Sequence, residues 1–254
     1  KVMHKLAGLP MLEHVYNRST ELGTDDIHIV YGHGGEHLHD YCSDFDVEWV
    51  LQDRQLGTAH AVMQASPKIA ADRAVLVLYG DVPLISDLTL EQMIRTGQEA
   101  VVCLLSFIAD DPSGYGRITR DDSGHVTAIV EDKDADQRVR EIRECNSGII
   151  FIQGGEYQEL LAEIDNDNAQ QEYYLTDIVA AANNQNRKVC ALVVDEEEAI
   201  RKSVSVRLAN AGYEVDLAHD GVSGRTLPSR IATTPVRGTI PGLTPSRSRI
   251  SVAK

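Results

Sequence analysis

Residues 76–85 read LVLYGDVPLI, an apolar run that breaks off in a glycine, a lone carboxylate at Asp81 and a Val-Pro step. A strand that is apolar throughout is buried on both faces, as in a parallel sheet covered by helices. In open sheets of that kind, ligands bind beyond the carboxyl ends of the strands. Asp81 stands just past such an end, where its carboxylate can face a crevice. An aspartate there equally suits the cap of the next helix.

The flanking sequence repeats this grammar. Residues 11–23, MLEHVYNRSTELG, space Met11, Val15 and Leu22 to one side before a glycine stop, which predicts a helix with a glycine C-terminal cap. A strand in DDIHIVYG follows, then helix EHLHDYC, strand VEWVLQ, loop DRQLGT, helix AHAVMQA, strand AVLVLYG, helix TLEQMIRTG and strand AVVCLLSFI. Apolar strands separated by helices predict a Rossmann-like α/β fold with a mostly parallel sheet and helices on both faces. From residue 111 the pattern changes. YGRITRDDSGHVTAIVED alternates polar and apolar residues around a Ser-Gly turn, which predicts a β-hairpin insertion. CNSGIIFI reads as a further strand, and EYQELLAEI, TDIVAAANN and KVCALVVDE as helix, helix and strand.

Composition sets limits. The chain has 254 residues, enough for one large domain or two modest ones, and a net charge of −15. That charge argues against a general nucleic-acid surface, which needs clustered Lys and Arg, but leaves room for one nucleotide in a pocket. Cys42, Cys103, Cys145 and Cys190 lack CxxC spacing and read as packing residues with free thiols in a reducing compartment. No apolar stretch nears the roughly 20 residues a membrane helix needs, and Lys1–Gly8 has no signal-peptide pattern, so the expectation is a cytoplasmic protein without membrane partners. Residues 221–254 hold six basic residues, no acidic ones and four of the eight prolines; the first 220 residues carry a net −21. This tail is expected to be disordered.

Several polar residues stand at strand ends or in glycine-containing loops. Gln52 presents an amide donor and acceptor side by side, which suits the imide edge of uracil, and Gly57 lets backbone approach a base or phosphate. Gly57-Thr58 before a helix is equally an ordinary N-terminal cap. Gly114 and Gly116 flank Tyr115 in DPSGYGRI, which offers bare backbone to a ligand or simply a turn. Glu131 and Asn146, at the ends of VTAIVE and before SGIIFI, could hold saccharide hydroxyl or acetamido groups, or could be surface residues.

Taken in order, KVMHKLAGLPMLEHV, VLQDRQLGTAHAV, LYGDVPLI, DPSGYGRI, IVEDKDA, NSGIIFI and NAQQEYYLTDI resemble the uridyltransferase half of the bacterial bifunctional GlmU family. In that family an N-acetylglucosamine-1-phosphate uridyltransferase is fused to a glucosamine-1-phosphate acetyltransferase. The resemblance covers roughly residues 1–198. It implies a nucleotide-diphospho-sugar transferase fold, and a Mg²⁺-dependent reaction of UTP with N-acetylglucosamine 1-phosphate that gives UDP-N-acetylglucosamine and pyrophosphate for cell-wall peptidoglycan precursors. It also implies site residues. Lys1 would contact phosphate, and Gln52, Gly57 and Thr58 would read uridine. Tyr79, Gly80 and Asp81 would touch sugar and metal, with Asp81 as the metal ligand. Gly116, Glu131 and Asn146 would hold the amino sugar, and Tyr174 and Thr176 would wall its pocket.

The chain also departs from that pattern. The family's first strand and LAAGxGTRM-type loop precede Lys1 there, so the expectation is a sheet lacking its first strand, with two open strand edges, weak stability and reduced or absent turnover. Ser205 stands where the family has a second metal ligand. Residues 192–221 look like the opening of a receiver domain, so 199–220 form a segment of uncertain origin. No hexapeptide repeats occur, so neither the acetyltransferase nor the trimerisation that depends on it carries over. Two alternatives to the transferase remain at this stage, a sugar-nucleotide-binding remnant and a receiver-type signalling fragment. The cluster His33, Glu36, His37, His39, Asp40 and Cys42 offers a weaker zinc reading, since Gly34 and Gly35 break the helix that would align His33 with His37.

Overall fold

A computed structural model of the chain describes residues 1–24, 26–32, 35–194 and 247–252. Segment 199–220, Ser205, and the receiver-like stretch beyond Val194 lie outside the described residues. A small hairpin comes first, β1 (Lys5–Leu6) and β2 (Leu9–Pro10), followed by α1 (Met11–Glu21), β3 (Ile27–Tyr31), α2 (Glu36–Tyr41) and β4 (Glu48–Leu51). Next are α3 (Thr58–Ala65), β5 (Ala74–Tyr79), α4 (Asp87–Gly97), β6 (Val102–Ile108), β7 (Arg117–Arg120) and β8 (Val126–Val130). The series ends with α5 (Gln137–Arg140), β9 (Glu144–Ile152), α6 (Tyr157–Ala162), α7 (Ile178–Asn184), β10 (Val189–Val194) and β11 (Arg247–Val252).

The main sheet runs β10-β6-β9-β5-β11-β3-β4, and the β7–β8 hairpin joins it beside β9. All neighbours are parallel except β9, which runs against both β5 and β6. The α/β fold with a mostly parallel sheet and an inserted hairpin is therefore as expected.

Why the central strands are apolar throughout is visible in the packing. Val75 and Val77 of β5, Val102 and Leu104 of β6, and Ile150 and Ile152 of β9 face α3, α6 and α7. Their alternates Leu76, Leu78, Cys103, Leu105, Ile149 and Phe151 face α4 and Val15 of α1. Successive side chains of a strand point to opposite faces, and here both faces are covered.

Helix ends follow local chemistry. Ser86 caps α4 by accepting from the Thr89 amide at 3.0 Å. Gly23, at φ +73°, closes α1 as expected. The buried stripe of α1 starts one residue later than the spacing suggested, on Leu12, Val15 and Ser19, and leaves Met11 and Leu22 only partly covered. Arg18 of α1 is buried and reaches Asp87 in the first turn of α4 at 3.2 Å, which ties the two helices on that face.

The clearest correction concerns the tail. Residues 247–252, expected to be disordered, form β11, which pairs in parallel with β5 (Arg247↔Ala74 to Val252↔Tyr79) and with β3 (Arg249↔Ile27 to Val252↔Val30). The expected open edges on β3 and β5 are thus both paired. Ladder hydrogen bonds belong to the backbone, so a segment rich in Arg and Ser can complete a sheet that composition would not assign to it.

Proline lacks the donor a doubly paired strand needs, so Ile250→Pro should break a ladder bond to one neighbour, leave that strand's carbonyl unpaired and press the ring against it. At about 1–3 kcal/mol per orphaned group, the melting temperature should fall by about 5–10 °C in thermal denaturation. An unchanged melt would mean that β11 does not hold the sheet together.

Candidate active site

At its carboxyl end, β5 delivers Tyr79, Gly80 and Asp81, and because β9 is antiparallel its first residues lie beside that end. The register between β6 and β9 shifts between Leu104↔Ile150 and Ser106↔Asn146, so β9 carries a bulge at Ser147 and Gly148. Side chains satisfy the disrupted ladder. The Ser147 hydroxyl donates to the Leu105 carbonyl at 2.7 Å, and Asn146 Oδ1 accepts from the Gly148 amide at 3.1 Å. Gly148 sits at φ +86°, and a Cβ there would meet the Tyr79 ring at 2.6 Å. The glycine therefore makes room for the tyrosine. Bulges of this kind re-aim side chains next to sites.

Tyr79 is held at its hydroxyl by Thr58. Burial, followed by the neighbouring Glu131 carboxylate, pushes its phenol up to about 12, against the Thr58 hydrogen bond. Thr58 opens α3 and accepts from the Leu175 amide at 3.0 Å, which joins the helix start to the 173–176 segment. Gly57, at φ +114°, is pressed against the Tyr173 backbone, where a Cβ would stand 2.4 Å from the carbonyl oxygen. Two backbone bonds close this junction, Tyr173 N–H to Leu56 O at 2.7 Å and Ala59 N–H to Tyr173 O at 2.9 Å. Gln52 is buried, and its amide nitrogen donates to the Gly57 carbonyl at 3.0 Å and lies 3.0 Å from His60 Nδ1. That nitrogen holds the loop together, so the donor expected for uracil is engaged within the protein.

Near Tyr79, the hairpin brings in Gly116 and Glu131. A Cβ at Gly116 would lie 3.5 Å from each Glu131 carboxylate oxygen, and the Gly116 carbonyl accepts from the Asn146 amide at 2.8 Å. Buried Thr176 donates to Glu131 Oε1 at 3.1 Å. Tyr174, partly buried, has its phenol pushed up by burial and by Asp134. Gly114 is a plain turn residue at φ +83° with open space around it.

Lys1 Nζ meets Asp81 Oδ2 at 2.7 Å, and the hydrogen bond and charge of Asp81 hold the lysine above its ordinary pKa. The two expected phosphate and metal residues are thus neighbours. Asp81 is an oxygen donor with a largely covered side chain, which fits Mg²⁺, an ion commonly held by one or two carboxylates together with waters and substrate phosphates. Among the described residues no group of three or more His, Cys, Asp or Glu could hold a metal alone. Of the zinc cluster, His33 lies outside the described residues, and α2 begins at Glu36. No helix of the described residues is long and apolar enough to cross a membrane.

Two further residues of the site escaped the sequence reading. Arg117 is only 2% exposed, bonds the Tyr115 carbonyl and pairs with Asp132 at 3.0 Å, so it braces the loop carrying Gly116 against the turn carrying Glu131. Asp177 follows Thr176. Burial first, then the carboxylates of Asp165, Glu131 and Asp134, push its carboxyl up to about 6. Both residues stand inside quoted motifs, GYGRI and YYLTD, but an ionisable group's burial cannot be read from its letter.

Residues 1–144 match the MobA-like NTP transferase domain family. The chain is also similar to a solved structure titled "The Crystal Structure of UDP-glucose pyrophosphorylase complexed with UDP-glucose". The identity is 18%, the TM-score 0.65, and the match covers 82% of this chain and 90% of that one. At that identity the likeness establishes the fold, the nucleotide-diphospho-sugar transferase arrangement expected from the sequence.

The raised Asp177 pKa has a consequence for stability. Because the folded value, about 6, exceeds the ordinary 3.8, the native state binds the proton more tightly than the unfolded chain. Its contribution is present below about pH 4 and is lost as pH rises through 6. Asp177→Asn cannot ionise, so its melting temperature relative to wild type should rise by a few degrees between pH 4 and pH 7.5. A difference that stays constant with pH would show that Asp177 does not titrate in this range.

Proposed function

This chain belongs to the family of MobA-like NTP transferase domains, a nucleotidyltransferase family, and from that premise we propose that it transfers a uridylyl group from UTP to N-acetylglucosamine 1-phosphate. The products are UDP-N-acetylglucosamine and pyrophosphate. The observation that carries the reading is that the Lys1–Asp81 pair, at the end of β5, lies near Tyr79, which in turn neighbours the group of Gly116, Glu131 and Thr176. The similar structure bound to UDP-glucose supports a uridine sugar nucleotide as the class of ligand.

In this reading a phosphate oxygen of the sugar phosphate attacks the α-phosphorus of UTP as pyrophosphate leaves. No protein nucleophile is needed, and the side chains act by positioning and charge. The Lys1 ammonium neutralises phosphate oxygens when it turns from Asp81 to substrate. Asp81 would hold Mg²⁺, which when bound spreads the negative charge of the phosphates. Glu131, oriented by the Thr176 hydroxyl, accepts hydrogen bonds from sugar hydroxyls. The Asn146 oxygen is used by Gly148, which turns its amide N–H groups toward the acetamido carbonyl. Small Gly116 leaves the pyranose ring room beside Glu131.

Pyrophosphate release from UTP and Mg²⁺ should depend on N-acetylglucosamine 1-phosphate and be weaker with glucose 1-phosphate. A reversed preference would overturn the amino-sugar assignment, and no release with any sugar phosphate would overturn turnover itself. Asp81→Ala should lower kcat by at least about 100-fold. Glu131→Ala should raise KM for the sugar phosphate by about 10-fold or more, as expected when a charged hydrogen bond is lost. An effect of Glu131→Ala confined to KM for UTP would displace it from the sugar pocket.

A further inference from the structure

Cys103 and Cys190 face each other across the last strand pair of the sheet. β6 and β10 run parallel with Cys190 directly opposite Cys103, and both side chains lie on the α4 face. Neighbouring strands are about 4.7–4.9 Å apart, within the roughly 4.4–6.8 Å between Cα atoms that a disulfide spans. The two thiols lie close enough to shift each other's titration. Above them α4 ends in Gly97, and a Cβ there would lie 3.1 Å from Cys103 Cβ, so the helix passes close over the pair without a side chain. The Leu104 carbonyl lies 3.8 Å from Cys103 Sγ, and the Thr96 carbonyl 4.0 Å from Cys190 Sγ.

We propose that Cys103 and Cys190 form a reversible disulfide by exchange with a small-molecule disulfide of the glutathione class. The two thiols divide the work. Cys190 is partly exposed, and the hydrogen bond from Cys103, opposed by burial and aided by Lys188, holds its thiol below the ordinary range. Cys103 is buried, and its thiol is pushed well up, first by Cys190 and then by burial. Cys190 thiolate attacks one sulfur of the small disulfide, that S–S bond breaks, and one glutathione thiolate leaves and takes up a proton. Cys103 then attacks Cys190 Sγ, the mixed S–S bond breaks, and the second glutathione leaves with the proton that Cys103 gave up. Two protein thiols are oxidised and one glutathione disulfide is reduced to two thiols.

Cys42 and Cys145 serve as internal controls. Both are buried, and burial followed by Glu13 pushes Cys42 up to about 11. The bond would fasten β10, the end strand of the described sheet, to β6 and close a long loop of chain, so oxidised protein should melt higher by about 5 °C or more.

The test uses the full chain, undenatured, at pH 8 with graded ratios of reduced to oxidised glutathione. Intact mass should fall by two hydrogens, and peptide mapping should find Cys103 joined to Cys190, with the link reversed by dithiothreitol. Cys103→Ala should stop at a lasting glutathione adduct on Cys190, whereas Cys190→Ala should leave Cys103 unreacted. Lasting adducts on the wild type, bonds through Cys42 or Cys145, or no reaction at any ratio would each overturn the proposal. None of these readouts depends on uridylyl transfer.

Discussion

One reversed strand sets the geometry of this molecule. If β9 ran parallel to its neighbours, its first residues would lie at the amino edge of the sheet, a strand's length from Tyr79 and Asp81. Because it runs antiparallel, Asn146, Gly148 and the paired β7–β8 hairpin arrive at the carboxyl edge, where Glu131 and Gly116 meet the end of β5. The bulge in β9 then lets one sheet serve two purposes. Below it, alternate residues pack both faces of the core; above it, backbone groups are satisfied by Asn146 and Ser147, and Gly148 gives its place to the Tyr79 ring. The hairpin is also fastened at its far side, where Arg120 grips Glu144 through two hydrogen bonds of 2.7 and 2.8 Å and Ser106 donates to the same carboxylate.

The charge around the site is unusual for one meant to admit a triphosphate. Asp165, Glu131 and Asp134 lie close enough to Asp177 to raise its pKa, and the buried cation Arg117 is committed to Tyr115 and Asp132. Lys1 is committed to Asp81. A polyphosphate entering this cleft would meet net repulsion unless positive charge came with it. That is the physical reason to expect a divalent cation bound with the nucleotide on Asp81, and it agrees with a chain whose charge is −15 overall. The carboxylates suit the opposite partner well, since sugar hydroxyls are donors that an ionised Glu131 can accept.

How much of this was legible in the sequence depends on what each feature is made of. Strands such as AVLVLYG and AVVCLLSFI were legible because burial on both faces leaves only apolar letters. The β7–β8 hairpin was legible because a half-exposed ribbon alternates. The β1–β2 hairpin turns on Ala7 and Gly8, both at positive φ, and Ala-Gly lacks the Asn or Asp that would have marked it. Burial of Arg117 and Asp177 depends on neighbours distant in sequence, so a charge letter alone reads as surface. Gly148 left a trace, a glycine within an otherwise regular strand, and such a glycine is itself a bulge signal. At Gln52 the letter suggested a donor free for uracil, whereas the loop's own carbonyl, at Gly57, takes that donor, a pairing that the letter alone does not reveal.

Among the described residues, backbone hydrogen bonds join β10-β6-β9-β5 to β3-β4 only through β11. The hydrophobic cluster that contains Val30, Val50, Val75 and Val77 holds both parts against α3, so the halves can approach by burial alone, but the ladder between them waits for residues 247–252. Those residues pair with strands about 170 to 220 positions earlier, contacts whose loop closure is entropically costly and slow to form. Val252 lies level with Tyr79 and Val30, so the strand that completes the sheet also ends at the carboxyl edge beside the site. Order at the crevice is thereby coupled to β11: until it is in place, no backbone ladder fixes the end of β3 against the end of β5, where Tyr79 and Asp81 stand.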